Sequence, residues 1–168
     1  MKSQKTSWHH FSKIFLINER NIFNQTCQRS FRVKIFRLGP NLKPTNGLIK
    51  LQKLLDNNAF WAENRTTNDL KKCLANSDVV ISLWVGKEIV GFGRALTDGI
   101  YRGVLWDIVI AQNHQGKGFG TLIVKNLLSS KKIKKTKKLY LMTTNKKLFY
   151  SQFDFKGVTS QNLLIRET

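Results

Sequence analysis

Residues 106–128 constrain this chain more than any other stretch. A mostly apolar run from Trp106 to Ala111 passes through Gly116, Gly118 and Gly120, then continues with Leu122, Ile123 and Leu127 at helical spacing. An apolar strand that enters a glycine-rich turn and leaves as a helix is anion-binding architecture. The glycines permit a tight turn and close backbone approach, and the helix start, near Phe119, aims unsatisfied N–H groups and a positive dipole end at the ligand. Two common loops of this outline do not fit. A nucleotide-hydrolase loop needs Gly-Lys followed by Ser or Thr, whereas Lys117 lies between two glycines. A dinucleotide fingerprint needs Gly-x-Gly-x-x-Gly with an acid about 20 residues on, whereas here the glycines alternate and the downstream region is lysine.

What remains is Gln-x-x-Gly-x-Gly, carried by Gln115, Gly118 and Gly120, followed about 30 residues later by Phe149, Tyr150, Phe153 and Phe155. The first motif resembles the pyrophosphate loop of the GNAT superfamily of acetyl-CoA-dependent N-acetyltransferases, where Arg or Gln usually opens the loop. The second is similar to that family's Phe-Tyr-x-x-Leu-Gly-Phe segment, whose tyrosine approaches the coenzyme sulfur. Further echoes are Gly91, Gly93, Arg94 and Ala95, the Asp98-Gly99 turn, and Trp106-Asp107. In appearance the chain is most similar to small plastid acetyltransferases, including those encoded in algal plastid genomes.

The resemblance implies an α/β (α+β) GNAT fold over residues 31–168, a mixed sheet flanked by helices. Its strands before and after the loop helix splay apart. The pantetheine arm of acetyl-CoA would lie in that gap on the backbone of Ile108, Val109 and Ile110. Gln115, Gly116, Lys117, Gly118, Phe119, Gly120 and Thr121 would hold the pyrophosphate. The implied reaction is direct attack of a primary amine on acetyl-CoA in a ternary complex, with residues 56–68 and 92–103 selecting the acceptor. The chain departs from the family at Asp154, where glycine is usual, and at Thr143, where asparagine is frequent.

Acyl transfer needs a deprotonated amine, a donor to the oxyanion and a proton for the leaving thiolate. Tyr150 is the candidate acid, since a phenol near pKa 10 is protonated at neutral pH and a thiol's pKa lies near 8.5. The alternative is an aromatic packing residue. Asp107 is the candidate base: it interrupts an apolar strand, and burial would raise its pKa toward working pH. The alternative is a carboxylate paired with Arg94 or Arg102.

At 168 residues and 41% hydrophobic content the chain has material for one domain with a real core. Its apolar runs, such as residues 79–85 and 105–111, fall short of the roughly 20 residues a membrane span needs. Cys27 and Cys73 lack partners at metal-ligand or redox spacing, and His9, His10 and His114 form no cluster with them. No metal site and a reducing compartment are expected. The formal charge of +19 points toward polyanions, but Asn, Ile and Phe are also abundant and share A/T-rich codons with Lys, so composition accounts for much of it. Residues 1–30, where Glu19 is the sole acid, stand apart as a basic extension: a transit sequence, a disordered arm or an extra strand. The plastid stroma is the expected location, the cytoplasm the alternative.

Periodicity and turn residues predict a strand over 31–38, a helix from about 48 to 58 and another over 69–76 capped by Thr67 or Asn68. Strands over 79–85, 88–96 and 104–110 then lead to the loop helix. A strand over 138–144, a helix over 146–153 and a last strand over 158–166 complete the chain. The six lysines of residues 131–138 follow the C-terminal end of the loop helix and are expected as a solvated face whose charge complements that helix's dipole. Two other function classes stay open. One is an RNA- or ribosome-associated protein, although the lysine run holds no aromatic to stack a base. The other is an acetyl-CoA-binding regulator without turnover.

Overall fold

The computed structural model describes residues 46–167 throughout, and the backbone of Leu16–Phe23 and Ser30–Arg37. The elements are β1 (Leu16–Phe23), β2 (Ser30–Arg37), α1 (Gly47–Asn58), α2 (Thr67–Ala75), β3 (Val79–Val85), β4 (Glu88–Thr97), β5 (Arg102–Ile110), α3 (Phe119–Leu128), α4 (Lys131–Lys134), β6 (Lys138–Tyr140) and α5 (Lys147–Ser151). Among the described residues one six-stranded sheet runs in chain order, antiparallel from β1 to β5 and parallel between β5 and β6. Part of the expected N-terminal extension is thus an edge strand. Cys27, His9 and His10 lie outside the described residues.

Helices cover both sheet faces, which is why β3 is apolar along nearly its whole length rather than alternating. On one face Leu51, Leu54 and Leu55 of α1 and Leu70 and Leu74 of α2 pack on Val80, Trp84, Phe92 and Val109. On the other, Phe119, Ile123 and Leu127 of α3 and Ile133 of α4 pack on Ile81, Leu83, Val90, Ala95 and Leu105. Two glycines of β4 set how closely α3 sits. A Cβ at Gly93 would stand 2.7 Å from Ile123 Cγ2, and one at Gly91 2.9 Å from Ile123 Cδ1. Any side chain there would push the helix off the sheet.

Several boundaries differ from the sequence expectation. Thr66, rather than Thr67 or Asn68, caps α2: its hydroxyl accepts from Asp69 N–H at 3.1 Å and donates to the Asp69 carboxylate at 2.7 Å. The lysines of 131–138 are exposed, as expected, but they do not simply follow α3. Ser130 starts a separate short helix by accepting from Ile133 N–H, and Ile133 is fully buried. The expected strand over 138–144 ends at Tyr140 because β5 moves away beyond Val104, leaving later residues no ladder partner among the described residues. The expected helix over 146–153 spans only Lys147–Ser151. Residues 158–166 form no strand; Leu163, Leu164 and Ile165 are consecutive and all exposed, so the segment has no single apolar face to lay on the sheet. Among the described residues no helix is long and apolar enough to cross a membrane.

Candidate active site

The site begins where β5 and β6 part. They pair only through Arg102 with Lys138, Gly103 with Leu139 and Val104 with Tyr140. From Leu105 to Ile110 β5 keeps β4 on one side and, among the described residues, has no strand partner on the other, so backbone N–H and C=O groups of that edge face a gap. A bulge accompanies the parting. Phe92 pairs with Val109 and Arg94 with Trp106, which leaves Asp107 and Ile108 both opposite Gly93. Asp107 takes φ +52°, a left-handed conformation that aspartate visits more readily than most residues. A bulge of this kind bends a strand and strengthens its twist. Ile108 and Ile110 send their side chains to the α3 face and Val109 to the opposite face, so what they offer the gap is backbone.

Beyond β5 the chain makes a 3-10 turn over Gln112–His114 and enters the glycine loop. Gln115 Nε2 donates to the Ile110 carbonyl at 3.2 Å, and Lys117 Nζ to the Asn113 carbonyl at 2.8 Å. Gly116 and Gly118 take φ +73° and +76°, and a Cβ on either would meet nothing within 4 Å. Dihedral angle rather than crowding therefore demands glycine, and the space beside both residues is open. The first intrahelical bond of α3 runs from Leu122 N–H to Gly118 C=O at 3.0 Å, so the N–H groups of Gly120 and Thr121 precede the helical ladder. Phe119 contributes backbone only, its ring being buried in the core and stacked on His114 at 6.0 Å. Burial and the nearby Lys117 charge hold the His114 pKa below its ordinary value.

Gly120 serves a different purpose. Its missing Cβ would stand 3.1 Å from Phe149 Cζ, so the third glycine seats α5 on the first turn of α3. That contact joins the two motifs in space. The next residue, Tyr150, is buried and lies edge-on to Phe149 at 4.9 Å and to Phe155 at 6.1 Å. Burial pushes its phenol pKa up, so the group stays protonated through the neutral range.

Asp107 does not behave as a base poised near neutrality. Burial pushes its pKa up, but hydrogen bonds from Arg65 and Arg94 and their charges outweigh burial and hold the carboxyl below the usual range. Arg94 Nε donates to Oδ2 at 2.7 Å and Arg65 Nη1 to the same oxygen at 2.9 Å. The expected upward shift is corrected, and the alternative partner Arg94 is the one observed. Arg65 was not legible in the sequence. It stands 42 residues from Asp107, in the loop before α2, and no local pattern announces it. The same loop is tied down by Gln52 Nε2 donating to the Arg65 carbonyl at 2.8 Å, and the end of α1 by Gln112 N–H donating to Asn58 Oδ1 at 2.8 Å. Between them opens a cavity of about 400 Å³ lined by Asp56, Phe60, Glu63, Gln112 and Gln115 among others.

The acetyltransferase (GNAT) domain family matches residues 76–157, which span β3 to α5 and hence the bulge, the loop and Tyr150. Over 133 residues the chain is 32% identical to an N-acetyltransferase, ycf52, of Pyropia yezoensis, covering 72% of this chain and 74% of that protein. It is 30% identical to GCN5-related N-acetyltransferase 1, chloroplastic, of Arabidopsis thaliana, over 42% of this chain and 36% of that one. A solved GNAT-family acetyltransferase of Streptococcus pneumoniae superimposes with a TM-score of 0.63 at 20% identity, over 80% of this chain and 99% of that chain. The chain belongs to the GNAT family of N-acetyltransferases.

Proposed function

We propose that the protein transfers the acetyl group of acetyl-CoA to a primary amine, and that an α-amino group is the best-matched acceptor. The observation that carries this is the open edge of β5 running directly into a left-handed glycine loop at the start of α3. That arrangement fits the donor's two recognisable parts. Amides of an extended arm can pair with the backbone of Ile108, Val109 and Ile110 as an added strand does, and a pyrophosphate suits the N–H groups and dipole at Gly118, Gly120 and Thr121, with Gln115, Gly116, Lys117 and the Phe119 backbone around it.

Acetyl-CoA supplies the activated thioester when bound. Tyr150, kept protonated by burial, gives its phenolic proton to the departing sulfur as the new C–N bond forms, and regains one from water. Asp107 is a positioning residue: ionised between Arg65 and Arg94, it holds the bulge and the loop before α2 together. The acceptor ammonium loses one proton to solvent before it attacks, and its nitrogen sheds a second to water as the C–N bond forms and the C–S bond breaks. An α-amino group with pKa near 8 needs little help for the first loss, whereas lysine near 10.4 needs far more. The chloroplastic relative supports a plastid location.

The test is acetyl transfer from labelled acetyl-CoA to two peptides, one with a free N-terminus and blocked lysine, the other reversed. The first is expected to be the better substrate. Tyr150→Phe should lower turnover by roughly 10² while leaving acetyl-CoA affinity unchanged. Near-parental turnover, at a pH where chemistry limits the rate, would make Tyr150 a packing residue.

A further inference from the structure

A second surface lies at the opposite end of β5 from the glycine loop. The turn between β4 and β5 is bonded to the link between α4 and β6: Lys137 N–H donates to the Ile100 carbonyl at 2.9 Å and Lys138 N–H to the Tyr101 carbonyl at 3.1 Å. This brings aromatic rings into a lysine cluster that has none in sequence. Tyr101 is 59% exposed, and the Lys137 ammonium stands 5.1 Å from its ring centre. Beside it the Arg102 guanidinium lies 5.7 Å over the Tyr140 ring and donates to its hydroxyl at 2.7 Å.

The local carboxylates are already occupied. Asp78 takes Lys132 at 2.7 Å and Thr97 N–H at 2.8 Å, and Asp98 accepts from the backbone of Ile100, Tyr101 and Arg102. Lys131, Lys134, Lys135, Lys137 and Lys138 are all exposed and, among the described residues, none forms an ion pair. A merely solvated face accounts for the charge but not for an exposed ring that stands 5.1 Å from one of those ammonium groups. Single-stranded nucleic acid asks for both, phosphate-neutralising lysines and a π-face on which a base stacks.

We propose that this surface binds single-stranded nucleic acid, with Lys131, Lys134, Lys135 and Lys138 on phosphates and a base stacked on Tyr101. The probe is a fluorescein-labelled twelve-nucleotide oligouridine, with oligothymidine as a second arm separating RNA from DNA, followed by anisotropy with the full chain from 50 to 200 mM salt. Four phosphate contacts predict a log-log salt slope of about −3. Replacing Lys134, Lys135 and Lys138 by Gln together should make that slope shallower by about 2. Tyr101→Ala should weaken binding about tenfold at every salt concentration without changing the slope, and Tyr101→Phe should restore it. Tyr101→Leu, which keeps apolar bulk, should behave as the Ala variant. Acetyl-CoA affinity by calorimetry should be unchanged throughout. No binding of either oligonucleotide at 50 mM salt, or parental affinity in both the Ala and Leu variants, overturns the proposal. So does a parallel loss of acetyl-CoA binding.

Discussion

Removing the Asp107 carboxylate tests whether the bulge is held by its ion pairs. Asp107→Ala deletes two charge-assisted hydrogen bonds at 2.7 and 2.9 Å, each worth about 1.5–3 kcal/mol. It also leaves Arg94, whose side chain is only 13% exposed, as a nearly buried cation without a carboxylate, while Arg65 at 31% can turn to water. An alanine at φ +52° adds about 1 kcal/mol of left-handed strain. Breaking a buried pair costs about 3–5 kcal/mol, and the partial exposure of Arg65 places the expected loss near the lower end of that range. Asp107→Asn tolerates the dihedral and keeps one acceptor oxygen, so its cost should be about half. The assay is urea unfolding followed by tryptophan fluorescence at neutral pH, repeated down to pH 2.5. Because the folded-state pKa is depressed, the carboxylate's contribution is fully present above its unfolded value near 3.9 and is lost as pH falls through the lower folded value. The difference between parent and Asn variant should therefore narrow below about pH 4. An Ala variant within about 1 kcal/mol of the parent, or a gap that persists unchanged to pH 2.5, would refute the reasoning.

Gly118→Val places a β-branched residue at φ +76° and a side chain in the open space beside the loop; acetyl-CoA affinity by calorimetry should fall more than about tenfold with the fold retained. Equal affinity would remove the loop from the site. Gly93→Ala drives a methyl to 2.7 Å from Ile123, and urea unfolding should show a loss of about 1–3 kcal/mol. Phe149→Ala removes the ring that seats α5 on Gly120; steady-state kinetics should show turnover falling by about tenfold, since small misplacements of a reacting group are costly.

What the sequence made legible is whatever local chemistry encodes. Val79–Val85 reads as a buried strand because both its faces are covered, and Gly116 and Gly118 announce themselves because glycine takes their left-handed dihedral without steric cost. What stayed hidden depends on contacts between distant segments. Arg65 reaches Asp107 only after the sheet and the loop before α2 are assembled, and the pKa of Asp107 follows from that contact rather than from burial alone. Propensity could not show that β6 stops at Tyr140, since its end is set by the divergence of β5. Ile133 lies inside the lysine run in sequence, yet it is a core residue that folds the run back onto the sheet.

Under the proposed function, the unfinished edge of β5 would also tie the lifetime of this protein to the supply of its donor. A seat that only the folded chain possesses is stabilised by its occupant, by about 2.7 kcal/mol when the ligand stands at a hundred times its dissociation constant. Under the proposed function, starvation for acetyl-CoA would enlarge the unfolded fraction by roughly a hundredfold relative to plenty, without any dedicated regulatory element. Quality-control proteases would then convert a metabolite level into an enzyme level.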